Sequence, residues 1–217
     1  MNKVFAPGCA LLIYKPELAD KMLDWLDKQF PGIKQHSTCC RHEPNLPTDC
    51  QVVNTCAGCD KRYRELYAGI STVSFWELLA ESDSFAFPDY QQRKMAILDA
   101  CPTRDQDRVH KAIRTLLQRM NIQLIEPEKT GSSATCCGDS FYGVLPVAQV
   151  KQQMQQRAAE MPADDVVVYC VSCIKAMHIG GKQPRYLADL LFGETTSAGT
   201  FEPDQWHAEL DIFIDAH

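Results

Sequence analysis

Eleven cysteines in 217 residues constrain this chain more than any other feature: Cys9, Cys39, Cys40, Cys50, Cys56, Cys59, Cys101, Cys136, Cys137, Cys170 and Cys173. Small secreted domains use cysteines in such numbers as disulfide staples. This chain is long enough to bury a core without them, the count is odd, and its first nine residues contain no apolar stretch of the signal-peptide kind. Reduced thiolates in a reducing compartment are therefore expected, with a cytoplasmic location, and thiolates gathered in this number point to metal.

An internal repeat orders ten of the eleven. Both parts of the chain read strand, cysteine, helix, strand, adjacent cysteine pair, strand, Cys-x-x-Cys, helix. In the first part residues 3–6 form a strand into Cys9, and Leu18, Met22, Trp25 and Leu26 share one helical face behind Pro16. After a turn at Pro31-Gly32, residues 33–38 lead to Cys39-Cys40, and residues 51–55 form a strand into Cys56-Ala57-Gly58-Cys59. In the second part residues 95–100 run into Cys101, and Val109, Ala112, Ile113, Leu116 and Met120 mark a buried helical face. A strand over 122–125, the pair Cys136-Cys137-Gly138, a helix through Val147, Val150, Met154 and Ala158, and a strand over 166–169 into Cys170-Val171-Ser172-Cys173 follow. Trailing helices over 73–79 and 184–191 also correspond.

Fifteen residues separate the pair from the Cys-x-x-Cys in the first part and thirty-two in the second, room for one extra helix. Alternating strands and helices predict an α/β fold: two similar Rossmann-like lobes, each a small, mostly parallel sheet with helices, related by a pseudo-two-fold. The expected domains are residues 1–90 and 91–217, the second ending in an acidic C-terminal helix, with 82–93 as the linker.

All ten repeated cysteines fall at strand carboxyl ends. There an open α/β sheet gathers its site, and helix N-termini favour thiolate over thiol. Adjacent cysteines bridge to each other only with strain, so thiolates serving different irons explain the pairs better. Four thiolates suffice for tetrahedral zinc or a cubane cluster, and a fifth in each set favours something larger. On spacing alone, zinc, a metal-free cysteine core and a thioredoxin-like dithiol at either Cys-x-x-Cys stay open.

The same residues resemble the paired cysteine-rich CCG domains found in heterodisulfide reductase and in the related glycolate oxidase and glycerol-3-phosphate dehydrogenase iron–sulfur subunits. The resemblance runs over nearly the whole chain. It is closest at Phe5-Ala6-Pro7-Gly8-Cys9, Asp99-Ala100-Cys101-Pro102 with Arg104, Cys136-Cys137-Gly138 and Tyr169-Cys170-Val171-Ser172-Cys173. It implies a noncubane 4Fe-4S cluster in each lobe, up to two in all. One would be held by Cys9, Cys39, Cys40, Cys56 and Cys59, the other by Cys101, Cys136, Cys137, Cys170 and Cys173. It further implies electron transfer to or from a thiol- or disulfide-type substrate, with Cys136 and Cys137 at the catalytic site.

The sequence departs from that pattern at Cys39-Cys40-Arg41, where glycine would follow the pair, so zinc stays possible at the first site. The chain also lacks the Cys-x-x-Cys-x-x-Cys-x-x-x-Cys-Pro run of a ferredoxin, which makes a separate ferredoxin-like or flavin-containing subunit the expected electron partner. A non-catalytic electron relay and a zinc-stabilised scaffold are the rival readings.

Net charge is −6, spread as −3 on either side of Tyr90, so no basic face exists for nucleic acid or anionic lipid. No apolar run is long enough to predict a membrane span. Cys50 reads as a small buried hydrophobe. His36 and His42 flank the first pair and are expected beside ligands or in solvent, and His110 on the surface. Lys61 and Lys175, each two residues past a Cys-x-x-Cys, read as solvated or as counter-charges to thiolates. Gly138 and Gly143 should leave room for a ligand around residues 139–143. The face of Trp206, Leu210, Phe213 and Ile214 is expected to pack back on the second lobe.

Overall fold

The computed structural model describes residues 2–217 and contains two four-stranded, all-parallel sheets. In the first, β1 (Lys3–Ala6), β2 (Lys34–Gln35), β3 (Gln51–Asn54) and β4 (Ser71–Ser74) lie in the order β2-β1-β3-β4. In the second, β5 (Arg93–Leu98), β6 (Ile122–Ile125), β7 (Asp165–Val168) and β8 (Gln183–Tyr186) lie in the equivalent order β6-β5-β7-β8. Central strands of parallel sheets are covered on both faces, which is why Met95 to Leu98 and Val166 to Val168 read as unbroken apolar runs and are all buried.

In the first lobe α1 (Cys9–Tyr14) and α2 (Pro16–Gln29) follow β1, α3 (Ala57–Leu66) follows β3 and α4 (Phe75–Ala80) follows β4. The second lobe carries α5 (Asp107–Arg119), α6 (Val147–Ala159), α7 (Val171–Ile179) and α8 (Leu187–Leu191), and α9 (Pro203–Ala216) closes the chain. Pro16 starts α2 at a position whose N–H needs no partner, and Leu18, Met22, Trp25 and Leu26 are buried as their spacing predicts. The extra residues between the second pair and its Cys-x-x-Cys contain α6.

Two local expectations need correcting. The segments over 73–79 and 184–191 are not simple helices, because each begins as a strand, β4 or β8, before turning into α4 or α8. Pro184 is tolerated because β8 is an edge strand with one unpaired side. The strand expected over 33–38 shrinks to Lys34–Gln35, also at an edge.

The lobes share one core, in which Phe5, Trp25, Phe75 and Trp76 of the first join Met95, Ile113, Leu116 and Leu187 of the second. Their contacts are reciprocal. The helix after the first Cys-x-x-Cys, α3, packs on the turn at Cys101–Thr103, and α7 packs on α1, which follows Cys9 in the same way. A buried carboxylate, Asp189, accepts from Tyr14 Oη at 2.6 Å and from Lys15 Nζ across the lobes.

The tail does not pack on the second lobe alone. Trp206 belongs to the shared core, but Ile214 lies in a separate cluster with Ala6, Cys9, Cys39, Cys40, Cys59 and Tyr63. An apolar face extending over the whole of α9 is long enough to reach both lobes. No helix among the described residues is long and apolar enough to cross a membrane.

Candidate metal centres

In each sheet the chain leaves its first strand to one side and returns on the other, so the crevice between β1 and β3, and that between β5 and β7, is the topological switch point where such sheets bind ligands. Cys9 and the Cys56/Cys59 motif flank the first crevice, and Cys101 and the Cys170/Cys173 motif the second. Gly8 enters its crevice at φ 84°, and a Cβ there would stand 3.0 Å from Cys56 Cβ and 3.4 Å from Cys59 Sγ. Only glycine allows that approach.

The loops are tied down from behind. Thr55 Oγ1 donates to Pro7 O at 2.7 Å. In the second lobe the equivalent Tyr169 donates its hydroxyl to Asp99 Oδ1 at 3.0 Å. Asp99 also accepts two bonds from Arg114, at 2.8 and 2.7 Å, and one from the Gly131 N–H. Burial alone would raise the Asp99 carboxyl, but Arg114 and these donors hold it at about 2. His110, expected on the surface, is buried in the same network with Nε2 at 2.9 Å from Thr103 Oγ1. The turn after Cys101 folds over that flank of α5, which a helical wheel cannot show.

The five thiols of each set meet. The thiols neighbour one another along the row Cys9, Cys39, Cys40, Cys59, Cys56 in the first lobe. The row in the second is Cys101, Cys136, Cys137, Cys173, Cys170, which is the same order by position in the repeat. The thiols on either side stabilise the anionic form of Cys39 and of Cys136 and drive both far down toward thiolate. Cys136 also accepts from Ser140 Oγ at 2.9 Å and from the Gly138 N–H at 3.3 Å. Cys9 and Cys101 are driven up by the neighbouring Cys39 and Cys136 and by burial. Cys56 is lowered to about 7 by the Cys59 thiol, against its own burial, with help from the Cys59 and Gly58 N–H groups.

Among the described residues no three His, Cys, Asp or Glu side chains gather about one metal-ion position. The sulfurs are strung in rows instead. Clustered cysteines of this kind fit an iron–sulfur or metal-binding role.

Cys50 stands apart, buried at the start of β3 and so at the opposite end of the sheet from the rows. His36 contributes a buried Nε2 with no hydrogen-bond partner and lines a small cavity with Cys9, Cys39, Cys40 and Cys59. Burial lowers its pKa. His42 Nε2 lies 2.9 Å from Ile214 O, in the tail helix. Arg62 Nε and the Tyr67 hydroxyl both donate to Cys40 O at 3.1 Å.

Lys61 is exposed beside Glu65. Lys175 is buried, donating to Ala198 O at 3.0 Å with its ammonium 4.1 Å from the Trp206 ring centroid. Burial pushes it down to about 8. A signal existed in the unbroken apolar neighbours Ile174, Ala176 and Met177.

Gly138 makes no room for a ligand. At φ 114° its absent Cβ would fall 2.6 Å from Met154 Cγ and 2.8 Å from Met154 N, so the glycine serves the packing of α6. Beyond it, Asp139 Oδ1 lies 3.1 Å from His207 Nε2, and Tyr142 stacks on the His207 ring. Residues 139–143 do border open space: Ser140 and Phe141 line a cavity of about 470 Å³ together with Cys136, Arg104, Lys129 and Arg157.

The sequence model of the CCG cysteine-rich domain family matches residues 95–178, the core of the second lobe. No curated protein matches the chain. Among solved structures, a glutamate racemase from Bacillus anthracis is similar at 11% identity and a TM-score of 0.37, covering 88% of this chain and 78% of that one. An aspartate racemase from Picrophilus torridus is similar at 10% identity and a TM-score of 0.35, covering 88% and 91%.

Proposed function

We propose that the protein is the iron–sulfur subunit of an oxidoreductase similar to heterodisulfide reductase, acting on a thiol- or disulfide-type substrate at its second site. The observation that carries this reading is the row of five thiols, repeated in the same order in both lobes at the switch points of the two sheets. A single tetrahedral zinc needs four donors around a point, whereas a five-membered row suits ligands shared among several irons. Cys9, Cys39, Cys40, Cys56 and Cys59 would hold one noncubane 4Fe-4S cluster, and Cys101, Cys136, Cys137, Cys170 and Cys173 the other.

When bound, such a cluster supplies single electrons and a soft metal for sulfur. Reduction of a disulfide consumes two electrons and two protons and yields two thiols. A ferredoxin-like or flavin-containing subunit would deliver the electrons. The protein's own residues set the access. Cys136 borders the open cavity, and Ser140 and the Gly138 N–H orient its sulfur. The first row is closed by the tail helix, which suits electron relay there.

Anaerobic purification with iron and acid-labile sulfide analysis, followed by EPR of the reduced and oxidised protein, tests the reading. Up to two four-iron clusters per chain are expected. Stoichiometric zinc without labile sulfide would replace this function with a scaffold role.

A further inference from the structure

The cavity beside Cys136 has a charge opposite to that of the protein. Its wall includes Arg104 from the turn after Cys101, Lys129 from the segment after β6, and Gln153, Arg157 and Glu160 from the α6 region, giving three cations against one carboxylate in a chain of net −6. Glu160 is already engaged by Lys129 at 3.3 Å and by Arg157 Nη1. Arg104 donates only through Nε, to Ala134 O, and makes no other hydrogen bond among the described residues.

Arg157 carries the second observation. It is 3% exposed, its Nη2 donates to Lys129 O at 2.8 Å, and its Nε has no partner. Glu160 already meets part of its charge, but the buried Nε–H is left without an acceptor, a cost that an anion in the cavity would offset. At about 470 Å³ the cavity has the size of a small-molecule site. The first lobe has no equivalent, because the fifteen residues between its pair and its Cys-x-x-Cys contain no α6, and the Cys39 N–H is occupied by His217 O at 3.3 Å.

We propose that this cavity is a carboxylate subsite, which holds the anionic end of a small thiol or disulfide while its sulfur lies at Cys136. Arg104 presents a planar fork suited to bidentate pairing with a carboxylate, Gln153 adds an amide, and Arg157 supplies charge from behind the wall. The assignment rests on the thiol and disulfide reading above and narrows it from any small thiol to one bearing a carboxylate.

The test uses anaerobically purified protein whose iron content is measured first. Its visible and EPR spectra are titrated with 3-mercaptopropionate and with the neutral 3-mercapto-1-propanol at constant ionic strength. The carboxylate thiol should reach its midpoint at a concentration about tenfold lower or more, the size of one charge-assisted hydrogen bond. Arg104→Gln should bring the two midpoints together without loss of iron. Gln153→Glu, which adds a negative charge to the wall, should reverse the order.

Equal midpoints in the unaltered protein overturn the subsite and leave the iron–sulfur reading standing. If the protein holds no iron, that reading falls, and the subsite is decided separately by the alkylation of Cys136. Iodoacetate should then outpace iodoacetamide at Cys136, relative to the same pair at Cys170, and lose that advantage in Arg104→Gln. An unchanged ratio between the two cysteines overturns the proposal.

Discussion

Trp206 donates its indole N–H to Ser172 Oγ at 3.1 Å, which fixes the start of α9 to one of the two residues between Cys170 and Cys173. Further along the same helix, Ile214 O meets His42 Nε2 at 2.9 Å, and His217 O accepts the Cys39 N–H. One helix thus touches the cysteine loops of both lobes. Trp206→Ala should destabilise the fold by about 3–5 kcal/mol, the usual loss for a buried tryptophan. Trp206→Phe keeps most of the ring and should lose about 1 kcal/mol with the hydrogen bond. Urea unfolding gives both values. Thiol labelling of Cys173 and Cys39 should accelerate in the alanine variant, and labelling confined to Cys173 would show that the two ends of α9 move independently.

Cysteine substitutions separate the rows from the bystander. Cys137→Ser should remove about half of the iron, the share of one of two equal clusters, and lower stability because a bound cluster contributes to folding as a structural metal does. Cys50→Ala should keep all of it, since Cys50 lies at the far end of β3. Iron lost equally in both would place Cys50 in the first set.

Two glycines in neighbouring turns should respond differently. Gly138→Ala must accommodate a Cβ 2.6 Å from Met154 Cγ and 2.8 Å from backbone, at a φ of 114°. Strain and overpacking together predict a loss of about 2–4 kcal/mol. Gly143 also has positive φ, but a Cβ there meets nothing within 4 Å, so Gly143→Ala should lose only about 1 kcal/mol. Thermal melts of the two variants provide the comparison.

The clip between the lobes gives a pH dependence. Lys21 holds the Glu194 carboxyl below its usual range, with help from Lys15 and against partial burial. A depressed carboxylate contributes its stability above the unfolded pKa of about 4.3 and loses it as pH falls from there through the lower folded value. Melting temperatures of Glu194→Gln should therefore lie below those of the unaltered protein at neutral pH, by no more than about 1 kcal/mol in stability for so exposed a pair. The two curves should converge under acid conditions. Parallel curves down to pH 3 would remove the ion pair from the account.

The cysteine order, the duplication, the parallel strands and the extra helix α6 were all legible in the sequence, because strand runs and helical faces obey local periods. What failed depended on the third dimension. His110 occupies a polar flank of α5 by its wheel, but the turn from Cys101 to Thr103 covers it and supplies a hydrogen-bond partner. Lys175 looked solvated until the chain beyond α8 returned over it. Gly138 signalled close approach correctly, and only the packing of Met154 shows what approaches. Arg157 sits one helical turn from Met154 on the buried side of α6, a placement the apolar spacing would have allowed, but no local rule marks an arginine there as part of a cavity wall.

The crossover that carries α6 is also the one place where the halves differ greatly in length, thirty-two residues against fifteen between cysteine pair and Cys-x-x-Cys. A crossover lies outside the sheet, so lengthening it disturbs neither strand register nor sulfur order. The two lobes thus keep one strand order and one cysteine order. The longer connection adds α6, whose Gln153 and Arg157 border the space beside Cys136, and leaves the cysteine order unchanged. Matching sulfurs in the two lobes therefore have unlike surroundings, and the length of a single connection is where those surroundings part.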